Sequence, residues 1–355
     1  QKIIGETVGV VRGETFALGI QSLNIKTLGG YPWHESDRMP QFDIFRAEDN
    51  TDMAARLDKG VLYRVEAARP THSGSSLQAY SRNRNKARII EDFDHKKIIA
   101  PPYEDGGVVG SKIALFGCNV NKALEILGTV EIGEGLPHPL IDGEWVKTSP
   151  RANAAYLITS FTEENVENAI ALTQKAGLKH LYHYGKTFDN WGHFELNKAA
   201  FPNGLEGLKK CVNKAEVKGI KIGTHCLSNF ITTNDPYVTP IPDPRLAKVG
   251  SSQLTRALGK DDTEIEIASP IFFNQMENNT LKTVVLGKEL IRYGSVSEAS
   301  PWRLLDCQRA AYGTQASAHN SGVKISKLLD HGYKVFLTDA DLTIEMSETL
   351  AELYN

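Results

Sequence analysis

The chain has 355 residues, 41% of them hydrophobic and 23% charged, the composition of an ordinary globular protein and not of a disordered one. Forty Lys and Arg against 43 Asp and Glu leave a net charge of −3, so no global positive field favours a nucleic-acid partner. The longest apolar runs, such as 112–117 and 154–161, are far too short to cross a bilayer.

Residues 1–150 consist of short apolar segments separated by turn residues, at 6–11, 61–67, 87–90, 96–99 and 112–116. Helical periodicity is weak there, with 121–127 the clearest short helix. This predicts an N-terminal β-rich domain, closed by an ordered Pro- and Gly-containing linker over 133–150. The basic cluster at 82–86 (RNRNK) fits a solvated loop.

The texture changes at 151. The run 154–161 (AAYLITSF) is continuously apolar, as a strand buried on both faces should be. Thr162 is placed to cap the following helix, Glu163 and Glu164 fall in its first turn, and Val166, Ile170, Leu172 and Ala176 give its stripe before Gly177. A strand is expected over 179–184, a helix over 204–218 with Leu205, Leu208, Val212 and Ala215 on one face, and a third strand over 220–226. Strand–helix–strand–helix–strand at this spacing predicts parallel strands with right-handed crossovers.

From 251 to 330 the pattern is β again, with alternation at 263–268 and a hairpin expected from 283–286 and 289–293. This fits a small β-domain inserted after the third parallel strand. Residues 331–355 return to a strand (333–338) followed by a helix (342–354). The fold expected is therefore α/β plus β: a TIM-type (β/α) barrel, incomplete over these residues, with an N-terminal β-rich domain and a small inserted β-domain. Only three βα units, or four with the last strand, can be counted, whereas a full barrel takes about 250 residues. A further segment or a second chain is expected to complete it.

Ligand-binding groups in parallel β/α folds gather at the carboxyl ends of the strands. The second strand runs into His183-Tyr184-Gly185-Lys186-Thr187-Phe188-Asp189-Asn190-Trp191-Gly192-His193, which holds aromatic and polar groups within a few residues. A sugar ring needs a flat aromatic face for its C–H side and directional polar groups for its hydroxyls. Trp191 with His183, Asp189 and His193 supplies both, and His225 and Asn229 follow the third strand. The competing reading is an aromatic-rich structural loop whose histidines are satisfied within the fold. His183, His193 and His225 can in principle hold zinc, but their spacing is no recognised ligand pattern, so no metal is expected.

No Gly-x-Gly-x-x-Gly, P-loop, Gly-x-Ser-x-Gly or His-Glu-x-x-His motif occurs, and no cofactor is expected. Asp339, Asp341 and Glu345 are the best-placed carboxylates for acid/base work. Asp341 and Glu345, four apart, share a helix face, though such acids more often serve a helix N-terminus. Cys118, Cys211, Cys226 and Cys307 are scattered without a Cys-x-x-Cys pair, so neither a zinc ribbon nor a disulfide-dense small fold is indicated. The chain begins at Gln1, and a secreted or periplasmic location is expected. The tripeptide 278–280 (NNT) fits a glycosylation acceptor, a pattern frequent by chance.

Three stretches, 189–193 (DNWGH), 201–208 (FPNGLEGL) and 218–225 (KGIKIGTH), resemble glycoside hydrolases of the α-galactosidase type. The resemblance covers roughly residues 152–230. It implies a barrel with a tryptophan-bearing loop after the second strand, and hydrolysis of a glycosidic bond in a complex polysaccharide or oligosaccharide. His183, Asp189, Trp191, His193, His225 and Asn229 would then bind the sugar. Two departures stand out: His183-Tyr184 replaces the acidic pair usual at the end of that family's second strand, and the motifs of its catalytic carboxylates are not visible. A second segment, 307–319 (CQRAAYGTQASAH), resembles small β-domains with an Arg-Gly-x-x-Gly-Thr-x-Ala-x-x-His pattern, where His319 is either structural or a glycan contact. The alternatives are a non-catalytic glycan-binding protein, a polysaccharide lyase and a metal-dependent hydrolase.

Overall fold

Strand and helix alternate between residues 157 and 224 for the reason the sequence gives: apolar runs end in polar, glycine-punctuated turns into amphipathic stripes. The computed structural model describes residues 2–4, 8–24, 26–29, 79–81, 85, 88–91, 97–100, 105–273 and 280–354. The expected strand at 61–67, Asn278-Asn279 of the glycosylation acceptor, and all of the basic cluster but Asn85 lie outside the described residues. The chain divides into two compact units, Gln1–Ala152 and Asn153–Asn355.

In the first unit Lys2–Ile4, Val8–Arg12, Phe16–Ser22 and Ile113–Asn119 form an antiparallel four-stranded sheet in that order. The Ala123–Gly133 helix contributes Ala123 to a small core with Val10 and Ala17. Arg88–Glu91 pairs with Lys97–Ala100 in a separate two-stranded ribbon.

In the second unit Leu157–Thr159, His180–His183 and Lys221–Thr224 form a three-stranded parallel sheet. The Val166–Lys175 and Gly204–Glu216 helices are the crossovers. Gly177 and Gly219, at φ +71° each, allow the chain to leave each helix in the left-handed region. Phe161, Val166, Ile170, Leu181, Phe201, Leu208 and Ile220 are buried together between sheet and helices. The opposite face carries Tyr182 and Ile158, and Ile158 is 54% exposed.

The helix after the first strand begins at Val166, with a turn over 163–165, so Thr162 is not its cap. Glu163 instead reaches the next helix, where its carboxylate accepts from the Asn203 N–H at 2.9 Å and the Asn203 side-chain amide at 2.8 Å. A negative charge is favourable at that helix start. A Cβ on Gly207 would lie 1.9 Å from the same carboxylate, so any larger residue there would have to push the Glu163 side chain off the helix start.

The described residues contain no closed barrel: the parallel part stops at three strands. Phe230–Thr232 and the strand expected near the end, Val335–Leu337, pair antiparallel with each other. Between them Lys248–Gln253, Lys324–Leu328, Thr283–Leu286 and Glu289–Arg292 form an antiparallel sheet, and the last two are the expected hairpin. The Ala340–Tyr354 helix buries Leu342, Met346 and Leu350 against Phe336, Ile231 and Leu246. No helix among the described residues is long and apolar enough to cross a membrane.

Candidate functional site

Strand alternation decides which side chains reach the carboxyl end of the parallel sheet. Leu181 and His183 face the helices, while Tyr182 faces the other side. His183 is 2% exposed and packs against Phe161 and Phe201, at ring centroid distances of 4.6 and 5.7 Å. Its Nδ1 accepts from the Phe161 N–H at 3.1 Å, and burial pushes its pKa below the usual imidazole range. It is a core residue of this unit and does not line the cleft described next.

A cleft of about 510 Å³ opens beyond the His180–His183 and Lys221–Thr224 strands. Its walls include Tyr184, Lys186, Asp189, Trp191, His225 and Tyr333. Tyr184 and Tyr333 are 63% and 66% exposed. Trp191 is partly buried, its ring 6.2 Å from His225 and 6.0 Å from Phe230. Its backbone is clamped, the N–H donating to Thr232 Oγ1 at 3.0 Å and the carbonyl accepting from the Thr232 N–H at 3.0 Å.

Asp189 lines the cleft with its carboxylate already engaged. Oδ2 accepts from the Lys198 N–H at 3.2 Å, and Oδ1 accepts from the Asn197 amide at 2.6 Å and meets Lys186 Nζ at 3.2 Å. These contacts, the Lys198 N–H first, hold its carboxyl below the usual range. Asn190 is buried, and its Oδ1 accepts from the Glu195 N–H at 3.0 Å. The loop is a locked scaffold that presents Tyr184, Lys186 and Trp191.

His225 stands across the cleft. Its Nδ1 lies 2.7 Å from the Tyr182 hydroxyl, and its ring lies 5.5 Å from that of Tyr184. Tyr182 is the partner that sequence reasoning passed over, although alternation from the buried Leu181 marks it as facing the opposite side from His183. Burial pushes the Tyr182 phenol up, so it stays protonated.

The remaining expected ligands lie elsewhere. Asn229 is exposed in the turn after the third parallel strand and does not line the cleft. His193 does not line it either. Its Nδ1 and backbone N–H both bind the fully buried Asp235, at 2.9 and 2.8 Å, and its ring lies 4.2 Å from that of Tyr237, tilted by 32°. Asp235 also accepts from the Tyr237 N–H at 2.9 Å. The pair ties the 189–195 loop to the 232–237 turn. Gly192, at φ +131°, is required there because a Cβ would meet the Asp235 carboxylate at 2.3 Å.

The three carboxylates best placed by sequence have structural occupations or lie apart. Asp339 Oδ1 accepts from the Leu342 N–H at 3.0 Å at the start of the last helix. Glu345 accepts from Arg245 at 2.5 Å and from Tyr237 Oη at 2.6 Å, which hold its carboxyl below the usual range, Arg245 foremost. Asp341 is exposed in the first helical turn. None of the three lines the cleft. No group of three or more His, Cys, Asp or Glu among the described residues is placed to hold a metal ion.

His319 sits in a buried knot around Glu289, which is 0% exposed. Arg309 binds both Glu289 oxygens at 2.8 Å, and the N–H groups of Ala310 and Ser317 add bonds at 3.0 and 3.2 Å. Ser317 Oγ and Glu289 both approach the same His319 nitrogen, at 3.0 and 3.5 Å. A Ser–His–acid relay uses opposite nitrogens of the ring, so this is a structural knot and not a triad.

No family model matches the chain, and no curated protein matches it. Among solved structures it is similar to TtGalA, an α-galactosidase from Thermus thermophilus in complex with p-nitrophenyl α-D-galactopyranoside. The identity is 12% and the TM-score 0.30, over 66% of this chain and 33% of that one. The chain thus spans about a third of that structure's length, and a likeness of this size carries no weight for activity.

Proposed function

We propose that this chain binds carbohydrate in the Tyr184–Trp191–His225 cleft and acts in the hydrolysis of a glycosidic bond. The observation that carries the reading is the cleft itself, with Tyr184, Trp191 and Tyr333 as apolar ring faces interleaved with Lys186, Asp189 and His225. That pairing of flat apolar surface with directional polar groups suits a pyranose, whose two faces differ in the same way. Hydrolysis needs two carboxyl groups about 5–9.5 Å apart across the scissile bond. Under this reading they come from outside the lining residues described.

The engagement of both Asp189 oxygens inside the protein favours a second reading, glycan binding without bond cleavage. Calorimetric titration with mono- and oligosaccharides, beside an assay of p-nitrophenyl glycoside hydrolysis, separates the two. The expected result is saturable binding that Trp191→Ala weakens about tenfold, equivalent to ~1.4 kcal/mol. Binding with no nitrophenol release at high protein concentration selects the non-catalytic reading. No saturable binding of any sugar overturns both.

A further inference from the structure

We propose that the cleft takes a sugar acid, a saccharide bearing a carboxylate, and that Tyr182 is the positioning residue that turns His225 toward it. The inference rests on the sugar-binding reading of the same site and deepens it. It follows from which hydrogen-bonding roles the lining side chains have left.

The acceptors are largely used up inside the protein. Asp189 accepts from Asn197 and from the Lys198 N–H and faces Lys186. Asn190 Oδ1 accepts from the Glu195 N–H, and Thr232 Oγ1 from the Trp191 N–H. A neutral sugar presents hydroxyl protons as well as lone pairs, and a site built for it offers acceptors for those protons.

Donors remain. Lys186 Nζ has three N–H groups, meets one carboxylate oxygen and belongs to a side chain that is 68% exposed. His225 Nδ1 is occupied by Tyr182. In this proposal the Tyr182 hydroxyl, which has no other protein partner among the described residues, donates its proton to Nδ1. The imidazole then carries its own proton on Nε2, which is not one of the buried atoms left without a partner. Free donors on two residues of one cleft match a group that only accepts, and a carboxylate is the saccharide substituent of that kind. The phenols of Tyr184 and Tyr333 can serve either role and leave the balance on the donor side.

The test is calorimetric titration at low ionic strength with two pairs of probes, galacturonate against galactose and glucuronate against glucose. Each pair differs only in a carboxylate or hydroxymethyl group at C6. The expected result is a preference of about tenfold or more for the acid in at least one pair. The preference should fall several-fold in Lys186→Gln and in ~0.5 M salt, where exposed charges are screened. Tyr182→Phe should weaken the acid about threefold or more while circular dichroism is unchanged.

A readout specific to positioning is the ¹⁵N spectrum of His225. It should show the Nε2-protonated tautomer in the parent protein and a mixture of tautomers in Tyr182→Phe. A neutral sugar bound as tightly as its acid overturns the inference and leaves the sugar reading standing. No binding of any of the four removes the sugar reading and the inference with it. An Nδ1-protonated His225 in the parent protein overturns the role given to Tyr182.

Discussion

At the scale of single residues, Lys327 is a cation buried at a cost. It is 1% exposed, and its ammonium donates to the Leu328 carbonyl, with Asp330 as the nearby acid. Burial pulls its pKa down to about 8, partly opposed by Asp330. The unfolded chain therefore binds more protons than the folded one between about pH 8 and 10.5, and stability rises with pH across that window. Below pH 8 the penalty is complete. Lys327→Met together with Asp330→Asn should stabilise the protein at pH 7 by about 1–4 kcal/mol, because it removes both the buried ammonium and its nearby acid. The gain should shrink as the pH climbs from 8 to 10.5. Urea denaturation at pH 7, 9 and 10.5 checks this, and a destabilised or pH-independent variant contradicts it.

The same scale shows where the candidate site was legible in sequence. Trp191, Asp189 and His225 line one cleft, as a ligand loop at strand carboxyl ends implies. His183 does not, because adjacent strand residues face opposite sides and position 183 shares the side of Leu181. The composition of a loop shows which chemistry is present but not which way each residue faces. His193 illustrates the other limit: its partner Asp235 lies 42 residues away, and only the fold brings them together.

At the scale of elements, local pattern carried far. The order of strands and helices and the closing glycines mark the parallel unit. The run 154–161, however, is not a strand buried on both faces: the strand is Leu157–Thr159, with Tyr156 and Ile158 53% and 54% exposed. Leu172 and Leu205 of the expected stripes are also exposed. The 283–293 segment gave its hairpin, closed by Gly287 at φ +60°. Long-range electrostatics was not legible. Glu163 reads as a first-turn acid of its own helix but serves the next one. Glu289 reads as a hairpin residue but organises the whole 309–319 loop.

Burial pushes the Glu289 carboxyl up, but Arg309 and the Ala310 and Ser317 amides together outweigh it and keep the group below its usual range. Glu289→Gln should therefore cost about 3–5 kcal/mol, because the buried Arg309 loses its counter-charge. Glu289→Gln with Arg309→Met should recover part of that loss. Denaturation midpoints of the two variants decide it. Equal midpoints would mean that the amide bonds, and not the ion pair, hold the loop.

At the scale of the whole chain, the buried side chains of the described residues fall into separate groups that respect the division at residue 152. Val10, Ala17 and Ala123 form the small core of the first unit. The other three groups lie wholly within 153–355. One is centred on Phe161 and Leu181, one on Phe336 and Met346, and one on Ile265 and Leu304. A unit with its own core and its own hydrogen-bonded sheets meets the requirement for folding alone. The fragment 153–355 should accordingly be soluble and unfold in one cooperative urea transition. Its midpoint should lie within about 0.5 M of the corresponding transition in the full chain. Since every cleft residue belongs to this unit, the fragment should also retain the sugar affinity of the full chain within about threefold. A fragment that folds but no longer binds would show that the first unit contributes to the site, and one that does not fold would show that the second unit depends on the first for stability.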